Sequence, residues 1–139
     1  YVYWTHDSVY GFGYYSYGAL GYYKGDSTIG YSKIPKMIYQ STKKIKTVVC
    51  GSNFICILFE DGTIKYSGHI CSNTGIQVGF KDALQENGEP ITNVKKISAG
   101  KGHCAVIKHD NTLWMIGNNI NKQLFLDRER KAGRTTGFD

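Results

Sequence analysis

The sequence has no apolar run near the roughly 20 residues that a membrane helix requires, so a transmembrane protein and a membrane partner are not expected. Proline is scarce, at Pro35 and Pro90 only. Four cysteines in 139 residues are too few for a disulfide scaffold. There is no Asn-x-Ser/Thr glycan acceptor, which is compatible with an intracellular protein of cytoplasm or nucleus. The chain opens Tyr1-Val2-Tyr3-Trp4, without methionine or a basic-then-apolar leader, so no signal or transit peptide is visible. Alanine, leucine and glutamate, the strong helix formers, are few.

What is abundant is glycine, 17 residues, and tyrosine, 11. That mixture points to short strands joined by tight turns, within about one domain's length of chain. The net charge of +6 favours acidic partners and permits nucleic acid without requiring it. The tight basic clusters are Lys43, Lys44 and Lys46, then Lys95 and Lys96.

An internal repeat organises the chain. His6–Gly13, Asp61–Gly68 and Asp110–Gly117 align, with spacings of 55 and 49 residues between their final glycines. Upstream, Val48–Leu58 aligns with Ile97–Ile107, so Gly51-x-x-Phe54 matches Gly100-x-x-His103. Downstream, Gly13–Gly21 aligns with Gly117–Phe125. Asp7, Gly62 and Asn111 fall together, and these residue types best tolerate a left-handed backbone. Each unit therefore predicts a hairpin: Phe54–Glu60 with Thr63–Ser67, and Cys104–Lys108 with Thr112–Ile116. Preceding strands are predicted at Lys46–Cys50 and Lys95–Ala99. The stretch Thr74–Glu89 reads as a long loop holding one further strand.

About four strands every ~50 residues is the signature of a propeller blade, so the predicted fold is all-β with blades of about four antiparallel strands. A kelch propeller expects a Gly-Gly pair in each repeat, and the chain has none. Ile97-Ser98-Ala99-Gly100-Lys101-Gly102-His103-Cys104 and Asp110-Asn111-Thr112-Leu113-Trp114-Met115-Ile116-Gly117-Asn118-Asn119, continuing to Gln123-Leu124, resemble the repeat of the regulator of chromosome condensation family. The resemblance covers residues 1–126. Phe54 stands where the family has histidine, and Lys122 and Phe125 where it has glycine. It implies a seven-bladed propeller of which this chain supplies about two and a half blades. The missing blades would come from a longer chain or another copy. Residues 127–139, with no repeat partner, read as a polar tail or linker.

The remaining motifs point to structure. Cys50, Cys56, His69, Cys71, His103 and Cys104 lack zinc-knuckle spacing. Cys50 aligns with Ala99, Cys56 with Ala105 and Cys104 with Ile55, which places them in a core as reduced thiols. No metal or other cofactor is expected. His103 reads as a buried histidine whose ring nitrogens bond backbone, and Gly51, Gly100, Gly68 and Gly117 as framework positions. No nucleophile or acid–base set recurs, so no catalytic residue and no enzyme activity is assigned. Nine tyrosines fall within residues 1–31. Tyr14, Tyr15, Tyr22 and Tyr23, flanked by Lys43 and Lys44, are the candidate partner-binding residues. The resemblance implies a platform for a partner protein, for example within a ubiquitin-ligase adaptor. The alternative it implies is guanine-nucleotide exchange on a small GTPase with chromatin contact.

Overall fold

A computed structural model describes residues 1–16, 29–69, 77–85, 88–117 and 130–134. They form three antiparallel sheets and, among the described residues, no helix. The first sheet is β1 (Val2–Trp4), β2 (Ser8–Ser16) and β3 (Ile29–Gln40), paired in that order. The second is β4 (Ile45–Cys50), β5 (Phe54–Phe59), β6 (Ile64–Gly68) and β7 (Gln77–Asp82). The third is β8 (Val94–Ala99), β9 (His103–Lys108), β10 (Leu113–Gly117) and β11 (Arg130–Arg134). Each sheet is a meander of neighbouring strands, as expected of propeller blades.

The strands follow from local chemistry. Phe54-Ile55-Cys56-Ile57-Leu58-Phe59 is apolar at every position, and every residue is buried. A strand loses both faces to neighbours only when it lies between two other layers, and β5 does. Val9, Ile45, Val48, Ile55, Ile57 and Phe59 form one core between blades 1 and 2. Phe54, Cys56, Leu58, Ile64, Val94, Cys104, Val106 and Ile116 form a second between blades 2 and 3. Alternate residues of β5 thus feed alternate cores, the period-2 consequence of a pleated strand.

The repeat extends to irregularities. Ile45 pairs with Phe59 and Thr47 with Leu58, leaving Lys46 as an extra bulged residue; Val94 pairs with Lys108 and Lys96 with Ile107, leaving Lys95 in the same place. The outermost pairing of every blade also shifts register at the repeated glycine: Gly13, Gly68 and Gly117. Gly68 has φ +110, and a Cβ there would collide with the Asn53 carbonyl oxygen. Only glycine meets both demands.

Three expectations need correction. Residues 130–134 are not tail: they form β11, the outer strand beside β10. That strand is Arg-Lys-Ala-Gly-Arg, and an outer strand needs no apolar alternation to pair by its backbone. Asp7 is not left-handed, although Gly62 (φ +85) and Asn111 (φ +65) are. Trp4 pairs with Val9, Leu58 with Ile64 and Ile107 with Leu113, so the first hairpin loop is one residue shorter and closes by another path. Cys50 is exposed rather than a core residue, while Cys56 and Cys104 are buried and free. Cys71 lies outside the described residues.

Candidate functional site

The two ends of the blades are built differently. At one end sit the hairpin turns 5–7, 60–63 and 109–112 together with the connections 41–44 and 83–93. Asp61 Oδ1 accepts from the Thr63 amide at 3.0 Å and from its hydroxyl at 2.6 Å. Asp110 Oδ1 accepts from the Thr112 amide and hydroxyl at the same two distances. Burial opposes the Asp61 charge. The Thr63 hydroxyl and amide and the Lys43 ammonium outweigh it, and hold the carboxyl below its ordinary range. In the shorter first turn Asp7 Oδ1 accepts from the Ser8 and Thr5 hydroxyls, which lower its pKa in turn.

This end also carries the joints between blades. Ile45 N–H donates to His6 C=O at 2.6 Å and Glu60 N–H to Lys44 C=O at 2.8 Å. One blade later, Val94 N–H donates to Gly62 C=O and His109 N–H to Asn93 C=O. The backbone of each turn therefore fixes where the next blade begins.

Of the lysines expected to attract a partner, Lys43 is held by its own blade. Lys43 Nζ lies 3.1 Å from Asp61 Oδ2, donates to Thr63 Oγ1 at 3.2 Å and sits over the Phe59 ring. Lys46, on its bulge, donates to the backbone carbonyl of Lys95, its own repeat equivalent, at 3.1 Å. Lys95 donates to Asn111 Oδ1 at 3.0 Å. The two basic clusters do lie side by side, and the Lys46 ammonium bridges blade 2 to blade 3, while Lys43 and Lys95 bond groups of their own blades.

The other end carries the turns at 51–53 and 100–102, and the three connections 17–28, 69–76 and 118–129 leave it from Ser16, Gly68 and Gly117. Tyr14 and Tyr15 lie near the end of β2, paired with Tyr31 and Gly30. Tyr22 and Tyr23 fall outside the described residues. At about 3.3 Å per residue, Tyr15 is roughly 20 Å along the strand from Ser8 and the lysine-bearing turns. Positions 14 and 15 therefore stand at the opposite end of the strand from the turns that neighbour Lys43 and Lys44. Strand direction alone carries that signal, since Tyr15 is seven residues beyond the turn.

His103 and Phe54 occupy equivalent sockets. Gly51 N–H donates to Phe54 C=O at 2.9 Å, and Gly100 N–H to His103 C=O at 2.8 Å. A Cβ on Gly51 would strike the Phe54 ring, and one on Gly100 would sit 2.5 Å from His103 Cε1. The glycine of Gly-x-x-Phe/His is thus the floor on which the ring lies. His103 is only partly buried, and its Nδ1 finds no hydrogen-bond partner among the described residues. The expected ring-to-backbone bond is absent at that nitrogen.

Lys108 carries a buried ammonium that no sequence pattern marks. Lys108 stands where blade 2 has Phe59, is 8% exposed, lies 3.9 Å from the Trp114 ring centre and donates to Gln85 Oε1 at 3.1 Å. Burial lowers its pKa, against the opposing pull of Asp110. Trp114 in turn stands where blade 2 has Lys65, so the aromatic and the lysine exchange strands between the two repeats.

No family model matches the sequence, and no curated protein matches it. Solved structures do. Human WBSCR16 superposes with a TM-score of 0.70 at 19% identity, over 94% of this chain and 35% of that one. Yeast RCC1 (Prp20), solved bound to Kap60, gives 0.61 at 20% identity, over 92% and 31%. Prp20p from Saccharomyces cerevisiae, studied with its binding to Gsp1p and histones, gives 0.57 at 26% identity, over 81% and 27%. The chain spans about a third of the length of these proteins. Its three sheets, repeated Gly-x-x-His/Phe sockets and shared superposition give it the fold of a run of β-propeller blades, similar to those of regulator of chromosome condensation proteins.

Proposed function

We propose that the chain is a protein-interaction module, a propeller platform that holds a partner protein at the end from which its long connections depart. One observation carries this reading. The three connections 17–28, 69–76 and 118–129 start from the same end of successive blades, while the opposite end carries the connections 41–44 and 83–93 and the short hairpin turns, in which Asp61 bonds Thr63 and Asp110 bonds Thr112. A rigid strand frame that directs several long segments one way is a common means of displaying binding residues. Tyr14 and Tyr15 stand beside that end, and Tyr22 and Tyr23 belong to its first connection. Tyrosine supplies contact area at low cost in conformational entropy.

The related yeast RCC1 is described with protein partners, Kap60 in one structure and Gsp1p and histones in the other. That agrees with a protein partner here, and a place within a ubiquitin-ligase adaptor is the finer form of the proposal. Lys43 and Lys44 then belong to a second, basic surface and not to the tyrosine contact.

A photo-crosslinking amino acid placed at Tyr15, and separately at Lys44, tests the assignment in cells that express the protein. A protein adduct formed from position 15 and not from position 44 is expected. Adducts from position 44 alone would contradict it.

A further inference from the structure

Cys56 and Cys104 are not repeat equivalents, yet they meet. Cys56 lies on the face of blade 2 that looks toward blade 3, and Cys104 on the face of blade 3 that looks back. Their Sγ atoms are 3.5 Å apart, in chain positions separated by 48 residues, and both side chains are completely buried. Phe54, Leu58, Ile64 and Val106 belong to the same core cluster. A disulfide needs sulfurs about 2.0 Å apart, so closure asks for an approach of roughly 1.5 Å between the two sulfurs.

We propose that Cys56 and Cys104 are a redox latch across the interface of blades 2 and 3, open as thiols and closed as a disulfide formed by a small-molecule disulfide oxidant. The thiol–thiol contact and burial both hold the Cys56 pKa well above its ordinary value, which keeps that thiol protonated and unreactive while the interface is shut. When the blades part, one thiol loses its proton and its sulfur attacks the oxidant. The oxidant's S–S bond breaks and one small thiol leaves. The second cysteine then loses its proton, attacks the mixed disulfide, forms the Sγ–Sγ bond and releases the second small thiol. The pair gives up two protons and two electrons, and the oxidant becomes two thiols. The bond fixes the blades against each other, so the latch couples oxidation to the stiffness of the platform.

The test uses oxidised glutathione on the protein carrying Cys50→Ser and Cys71→Ser, and in parallel on the unaltered protein. Intact mass, a non-reducing peptide map and the melting temperature are followed with time. The expected product has lost two hydrogens, contains one linked peptide pair bearing Cys56 and Cys104, and melts several degrees higher until a reductant is added. Its rate should level off at high oxidant, because interface opening limits it. Cys56→Ala, which copies Ala105 of the third repeat, should abolish the linked pair and keep the fold. Stable glutathione adducts without a linked pair would overturn the proposal. So would an absence of reaction under conditions that oxidise the urea-unfolded chain, or a linked product that melts lower.

Discussion

Phe54 and His103 hold the same place in their repeats and rest on the same glycine floor, but they meet different surroundings. Phe54 is 1% exposed because blade 3 covers its face with Cys104, Val106 and Ile116. His103 remains partly exposed, and with it Ala105, Ile107 and Leu113 on the same side of blade 3. The opposite flank of the chain behaves similarly. Tyr1 and Tyr3 are 86% and 45% exposed, whereas their equivalents Ile55 and Ile57 are buried. The contrast separates two roles in the motif. The glycine and its backbone bond make the socket, and a neighbouring blade decides what the ring contributes to stability.

The sharpest way to break that comparison is to empty the covered socket. Phe54→Ala should cost about 3–5 kcal/mol, a cavity in a fully buried site, read as a loss in urea midpoint. Gly68→Ala comes next, at about 2–3 kcal/mol, since a side chain at φ +110 must also displace the Asn53 carbonyl. His103→Ala should cost no more than about 1 kcal/mol, because one ring nitrogen has no bond to lose and the face is open. If His103→Ala matched Phe54→Ala, the two sockets would be equally loaded and the comparison would fail.

The smallest effect is a pH dependence. The Asp61 carboxyl is lowered in the folded protein, so its stabilisation is complete above the ordinary carboxylate pKa and is lost as pH falls through the lowered folded value. Asp61 is about half exposed, so solvent screening keeps this contribution small. Asp61→Asn should flatten the acid limb of a melting-temperature profile slightly and leave the neutral region almost unchanged.

Much of this architecture was legible because a repeat states each position more than once. Gly-x-x-Phe/His, the Asp-x-Thr turns and the final glycines fixed both complete hairpins to within a residue or two. The outer strands were less legible. β11 is Arg-Lys-Ala-Gly-Arg and β7 is Gln-Val-Gly-Phe-Lys-Asp, and such strands pair through backbone without a clean apolar period. The Cys56–Cys104 contact could not be found by aligning repeats, because adjoining blades bring together non-equivalent positions. Lys46 and Lys95 read as a surface charge patch, since nothing in one dimension marks the bulges on which they sit or shows that Lys46 reaches the next blade. The separation of the tyrosines from Lys43 and Lys44 was available from strand length and direction.

Amide hydrogen exchange resolved by strand tests the central claim most directly, because it reports cover by a neighbouring blade without any substitution. The account predicts slowest exchange in β5, which has a blade on each side, intermediate exchange in β9, and fastest exchange in β1. Equal protection of β5, β9 and β1, or faster exchange in β5 than in β9, would contradict it.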